Sequence, residues 1–377
     1  MKRKIVVVTA FFLSVATGRA ALCADGPAAN STSSPATWPS GPSWTAGFRV
    51  FKWSCQAGDG TRRPLVTAVW YPSSVAEGVQ HAYASRITGK AVQDAPVAKA
   101  PNASGFPLIV FSHGFGGGAI QSTYLTEYLA SRGYVVAAPD HNDPVAALRI
   151  TGPTGVDMDK YLSAAGELVR SGKDMPRDKY AYRPEELRAV IDRMLAESAS
   201  KDSPLHGAID AGRIGCCGHS MGGYTCLAVI GCWEKYTDGR IKAAVLHSPG
   251  VFMWNDEEYK PVGVPTMYMY GQYEGWNHAD KLPGTDRAYR NTPPPKWLIE
   301  IRQGRHLTFG GSSWQRMIAA SQPAAAVAAQ HQTIARYTLA VFQRYLRGDA
   351  EAEKVLSSGD AWTSRFEADI GRKAPRE

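Results

Sequence analysis

The chain has 377 residues, 44% of them hydrophobic and 20% charged, with a formal net charge of +8. That is apolar material for one large globular domain with insertions, which excludes a fibrous or disordered chain. Residues 1–20 hold four basic residues and no acidic one, so their removal leaves +4, too mild a charge to make nucleic acid the expected partner.

Met1-Lys2-Arg3-Lys4, the apolar run Ile5 to Ala16 and small residues near Ala20 form the pattern of a signal peptide. The apolar run is too short to span a bilayer, so the expected location is periplasmic or secreted, with no stable membrane insertion. Cleavage after Ala20 or Ala24 assigns 1–24 to the leader and 25–45, rich in Ser, Pro, Ala and Gly, to a flexible lead-in. Cleavage beyond Cys23 leaves Cys55, Cys216, Cys217, Cys226 and Cys232, an odd number, so at least one thiol is free. A Cys55–Cys232 disulfide is one open pairing among several.

Residues 46–75 read as an antiparallel hairpin. Strands are expected near 107–112, 134–138, 213–217, 242–247, 265–270 and 296–301. Helices fall near 119–131, 183–198 and 221–231, and a last helix runs from about Ala324 to Arg347. Strands alternating with helices predict an α/β fold, a mostly parallel sheet with helices on both faces and an N-terminal antiparallel hairpin. The domain is expected over 46–350, with 351–377 as a tail. The stretch 141–182, charged and with a helical pattern around Val156 to Val169, reads as a lid-like insertion, since long insertions at that end of a sheet usually roof the site below, with a solvated loop that makes no substrate contact as the alternative.

Chemistry enters at the strand ends. The apolar strand Phe106 to Ser112 opens into His113-Gly114-Phe115-Gly116-Gly117-Gly118. Further on, Ile214-Gly215-Cys216-Cys217 leads into Gly218-His219-Ser220-Met221-Gly222-Gly223 and then an apolar helix. A serine between two such glycines at a strand-to-helix turn is a nucleophile elbow. Only glycine-sized neighbours let strand and helix approach so closely, and the hydroxyl then stands at a helix N-terminus that favours a developing oxyanion. Ser220 is the expected nucleophile, and the backbone N–H groups of Phe115 and Met221 the expected oxyanion donors. Val264 to Tyr270 opens into Gly271-Gln272-Tyr273-Glu274, whose carboxylate would orient a histidine, with Asp280 the alternative acid. The strand Lys296 to Ile301 precedes Gly304-Arg305-His306-Leu307, which makes His306 the expected base. Of the other histidines, His113 belongs to the glycine-rich loop, His219 to the variable elbow position, and His141 to a strand end; His81 and His331 read as surface residues. Phe115, Tyr273, Trp276 and Trp314 lie near these positions and would line an acyl or aromatic pocket.

These stretches together resemble the α/β-hydrolase superfamily, and more closely its bacterial branch of predicted dienelactone hydrolases, which is similar to platelet-activating factor acetylhydrolases. Val69-Trp70-Tyr71-Pro72, Phe111 to Gly117, Gly133 to His141, the elbow, Arg305 to Phe309 and Tyr345-Leu346-Arg347-Gly348-Asp349 carry the likeness. Dienelactone hydrolases proper use a cysteine where this chain has Ser220. The acetylhydrolases place their acid just after the strand that follows the elbow helix, where His247-Ser248-Pro249 offers no carboxylate, which favours Glu274. PET hydrolases and cutinases also carry Gly-His-Ser-Met-Gly, usually without the His-Gly pair of the first loop. The resemblance implies a secreted serine hydrolase of carboxylic esters that needs no cofactor and no metal and acts on a small-molecule or lipid ester. Lipase, acetylhydrolase or polyesterase activity, and a non-catalytic binding protein on the same fold, are the alternatives. The oligomeric state is open.

Overall fold

Successive strand residues divide between two cores. In the strand Phe106–Ser112, Leu108 and Val110 join one buried cluster while Ile109 and Phe111 join the other, because side chains alternate across a sheet. Every residue of that strand is buried, as a parallel strand covered on both faces must be.

The computed structural model describes residues 43–371 except 76–77, 79, 84–86, 147–148, 151–156, 172–173, 175, 275–283 and 315–321. The expected leader and nearly all of the lead-in lie outside the described residues, as do Trp276, His278 and Asp280. In chain order the elements are β1 (Thr45–Gln56), β2 (Arg62–Ser73), β3 (Gln80–Tyr83), β4 (Ile87–Gln93), β5 (Phe106–Ser112), α1 (Thr123–Ser131), β6 (Val135–Pro139), α2 (Met158–Ser171) and α3 (Tyr182–Ala199). There follow β7 (Ile209–His219), α4 (Met221–Leu227), β8 (Ile241–His247), β9 (Thr266–Gly271), α5 (Thr285–Asn291), β10 (Lys296–Ile301), α6 (Ala324–Arg347) and β11 (Thr363–Asp369). They build an eleven-stranded sheet in the order β11-β10-β9-β8-β7-β5-β6-β2-β1-β4-β3. From β6 through β5, β7, β8 and β9 to β10 the neighbours are parallel. The β1–β2 hairpin is antiparallel, in register from Thr45 opposite Ser73 to Gln56 opposite Arg62.

Helices cover both faces. Leu187, Val190, Ile191 and Met194 of α3 and Tyr224 and Leu227 of α4 fill one core. Leu125 and Leu129 of α1 and Ile334, Leu339, Val341 and Phe342 of α6 fill the other. The α/β architecture expected from the alternation is the one observed.

The differences lie at the margins. The helix expected from 119 starts at Thr123, because the preceding residues spend their amides in turns, Gln121 N–H on Gly118 O and Ala119 N–H on Asp140. The elbow helix is regular only to Leu227 and ends in a π-turn, Ala228–Cys232. The segment expected as a tail from 351 instead carries β11, antiparallel to β10, so the sheet continues past residue 350. His331, expected on the surface, is half-buried. Its ring stacks on Tyr124 at 3.9 Å and its Nε2 donates to Thr308 O at 2.9 Å. Among the described residues Cys55 and Cys232 are free thiols, and both Cys216 and Cys217 are buried.

Parallel strands place their C-terminal ends along one edge. The loops after β5, β7, β8, β9 and β10 therefore collect there, where open α/β sheets place their ligands.

Candidate active site

The turn after β7 holds Ser220 at φ 56, ψ −116, a backbone conformation rare outside glycine. What enforces it is close approach. A Cβ on Gly222 would sit 1.8 Å from Ser112 O of β5, and one on Gly218 2.4 Å from Gly222 O. Two backbone bonds fix the turn against the end of β8: Ser220 N–H donates to His247 O at 2.9 Å, and Gly250 N–H donates to Ser220 O at 3.0 Å. The hydroxyl is thereby lifted clear of the sheet, and Met221 becomes the first residue of α4, whose N–H has no partner within the helix.

Ser220 Oγ lies 3.0 Å from His306 Nε2, and His306 Nδ1 lies 3.2 Å from Glu274 Oε2. The loops bearing them are laced together. Tyr273 N–H donates to Gly304 O at 2.9 Å, Gln272 N–H to Ile301 O at 2.9 Å, and Gln303 N–H to the Gln272 side chain at 2.8 Å. Glu274 is buried, and its Oε1 accepts Gly271 N–H at 2.8 Å. So three of the residues expected from the sequence meet in one line, and an imidazole so placed can take a hydroxyl proton. Asp280 lies outside the described residues.

The glycine-rich loop passes beside Ser220: a Cβ on Gly114 would fall 3.3 Å from Ser220 Cβ. Phe115 is stacked on Tyr161 of α2, ring centroids 6.0 Å apart, and Tyr161 also closes over Gly116. The insertion therefore packs onto this loop, with Ala165 and Leu168 of α2 buried in the same core as Phe115.

Two residues without an expected role tie these loops together. His219 Nδ1 lies 2.6 Å from Gln121 Nε2, His219 Nε2 lies 2.9 Å from His306 O, and Gln121 Oε1 accepts Gly114 N–H at 3.0 Å. The amide nitrogen can only donate, so Nδ1 accepts and Nε2–H gives to the His306 carbonyl. Burial, first, and the neighbouring His306 hold the His219 pKa well below its usual value, so the ring is neutral. Ser248, after β8, also enters the line. Its Oγ bonds Glu274 Oε2 and lies 2.6 Å from His306 Nδ1. Nothing in the local sequence marks Gln121 or Ser248, whose partners are 98 and 58 residues away.

Behind the glycine-rich loop lies a buried polar network. His141 sits 2.8 Å from Ser112 Oγ through Nε2 and 2.7 Å from Glu186 Oε2 through Nδ1. Arg183 pairs with Asp143 and donates to His113 O at 2.8 Å. Burial opposes the charge on Asp143, yet the Arg183 charge and its hydrogen bonds outweigh it and hold the carboxyl well below its usual range. Burial pushes Glu186 up to about 8 and pulls His141 well down.

The family model described as PET hydrolase-like matches residues 89–372. The chain belongs to the PET hydrolase-like family. That places it within the α/β-hydrolase likeness drawn from its motifs. Among curated proteins, the platelet-activating factor acetylhydrolase of Cavia porcellus is 23% identical over 224 residues, covering 54% of this chain and 48% of that protein. The chain thus spans about half the length of that relative. Among solved structures, a ferulic acid esterase from Streptomyces cinnamoneus matches with TM-score 0.57 at 23% identity, covering 84% of this chain and 93% of that one. At that identity the match speaks for the fold, and the fold of this PET hydrolase-like chain agrees with it. Among the described residues no helix is long and apolar enough to cross a membrane.

Proposed function

We propose that the protein is a serine hydrolase of carboxylic esters, acting through an acyl-enzyme. The observation that carries this is the 3.0 Å contact between Ser220 Oγ and His306 Nε2, at a strained elbow, with Glu274 behind the imidazole. In this reading His306 takes the Ser220 proton as Ser220 Oγ bonds to the ester carbonyl carbon. The carbonyl oxygen becomes an oxyanion held by the N–H groups of Phe115 and Met221. The alcohol leaves with the proton from His306, and water, activated by the same imidazole, then cleaves the acyl-enzyme. Glu274 holds the ring and offsets the imidazolium charge. The basic, apolar N-terminus supports export, so the reaction belongs in the periplasm or outside the cell.

A fluorophosphonate probe and a series of p-nitrophenyl esters from acetate to palmitate test the reading. Wild-type protein should be labelled and turn over. Ser220→Ala should lose labelling and, if the three residues act as a unit, on the order of 10⁶-fold in rate. An unlabelled, inert wild type would favour a binding protein on a hydrolase fold.

Membership of the PET hydrolase-like family favours a second, narrower reading, in which the scissile ester belongs to a polyester. Release of soluble acid from a polyester film, against the p-nitrophenyl series, separates a polyesterase from a small-ester hydrolase.

A further inference from the structure

The group nearest to His306 Nδ1 is a hydroxyl. Ser248 Oγ stands 2.6 Å from Nδ1, while Glu274 Oε2 stands 3.2 Å away. The same hydroxyl bonds Glu274 Oε2. A carboxylate can only accept, and a serine has one proton to give. The Ser248 O–H therefore points at Glu274, and its oxygen lone pair is turned toward Nδ1–H. The chain runs Glu274, Ser248, His306, Ser220.

The position of Ser248 is built in. The residue is fully buried, with φ 45, in the left-handed region where a side chain other than Asn or Asp is uncommon. Such a conformation persists only where the surroundings over-determine it. Here Ser248 N–H donates to Met269 O at 2.7 Å, and its neighbours His247 and Gly250 carry the two backbone bonds that pin Ser220. One short segment after β8 thus sets both the nucleophile's backbone and the acceptor facing the imidazole.

We propose that Ser248 is a positioning residue of the hydrolytic reaction. It passes the negative charge of Glu274 to His306 and keeps the proton on Nδ1, so that Nε2 is free to face Ser220. The proposal rests on the ester-hydrolase reading above. No covalent step is added. When Nε2 takes the Ser220 proton, Nδ1 keeps its own, and the polarised Ser248 oxygen meets the growing positive charge. The stabilisation is greater in the transition state than before it, so its loss should appear in kcat and leave KM alone.

The test is kinetic, with p-nitrophenyl acetate and the fluorophosphonate probe on wild type, Ser248→Ala and Ser248→Gly. Glycine is at ease at positive φ, so Ser248→Gly keeps the fold while removing the hydroxyl. Both variants should lose roughly tenfold to a hundredfold in kcat, the worth of a hydrogen bond to a charged group, at unchanged KM. Labelling by the probe should slow in parallel. Glu274→Ala should cost on the order of 10⁴-fold. Adding Ser248→Asp to Glu274→Ala should recover at least about tenfold, because aspartate tolerates this φ and its oxygens enter the space the glutamate leaves. Ser248→Ala and Ser248→Gly with wild-type kcat, or with an effect confined to KM, would overturn the proposal while leaving the ester-hydrolase reading standing. An inert, unlabelled wild type would overturn both.

Discussion

His219 shows how one side chain in a motif can serve a purpose the motif does not express. Between Gly218 and Ser220 it reads as a free position. In the folded chain it donates to the His306 carbonyl and accepts from Gln121, whose oxygen in turn holds Gly114 N–H. One neutral imidazole and one amide thus lock the nucleophile's loop, the histidine's loop and the glycine-rich loop at fixed separations. His219→Leu keeps the bulk but removes both hydrogen bonds of the bridge, a loss of about 1–3 kcal/mol. The expected result is a lower urea midpoint together with slower p-nitrophenyl ester turnover. A variant matching wild type in both would show that the three loops hold their spacing without this bridge. Ser220, Glu274 and His306 could be read from the sequence because each follows a strand end in a short, patterned turn. Gln121 and Ser248 could not, because their roles exist only when loops distant in the chain meet.

The elements explain why the elbow must have the sequence it has. Strand β7 and helix α4 meet at a turn packed directly on the backbone of β5. At Gly222 a methyl group would lie 1.8 Å from Ser112 O, an atom of the sheet itself that no rotamer can move aside. Gly222→Ala should therefore force α4 from β5, the strand that leads into the glycine-rich loop. Overpacking of this kind costs at least about 1–3 kcal/mol, and turnover should fall with it. Gly239→Ala is the matched control, since a Cβ there meets nothing within 4 Å. Denaturant curves for the two variants should separate clearly, and coincident curves would mean that the elbow can relax. The insertion is the other element that bears on the site. Its helix was legible from the pattern around Val156 to Val169 and is observed at Met158–Ser171, but its contact with Phe115 through Tyr161 was not. Periodicity reports a helix's face and says nothing of the surface that face will meet.

At the scale of the molecule, the central strands were legible and the edges were not, for one physical reason. Strands β5, β6 and β9 are buried throughout, and β8, β10 and the second half of β7 nearly so, and they write short apolar runs. Edge strand β11, Thr363–Asp369, is only partly covered and mixes Ser, Arg, Glu and Asp with one phenylalanine, which reads as a tail. The hairpin side of the sheet joins its centre through the antiparallel β2–β6 pairing, and the polar network beyond β6 adds side-chain links there. Asn142 donates to Pro64 O of β2 at 2.9 Å and to Glu186 Oε1 of α3 at 2.7 Å, and Glu186 faces His141 at 2.7 Å. Within this network Glu186 makes global stability fall as pH rises. Burial raises Glu186 from 4.5 to about 8, so the folded protein keeps a proton that the unfolded chain gives up. The contribution is complete below the unfolded value and is lost as pH rises through about 8. Asp140, raised by burial to about 6, acts in the same direction over a lower range. Below about 6.5 the neutral, buried His141 gives the opposite slope, so the melting temperature of the wild type should fall between about pH 6.5 and about pH 8. Glu186→Gln supplies an amide that can donate to His141 and an oxygen for Asn142, with no proton to lose, so its melting curve should fall less steeply over that range. Equal slopes for the two proteins would mean that Glu186 is already ionised at neutral pH, its charge balanced by a proton on His141 rather than removed by burial.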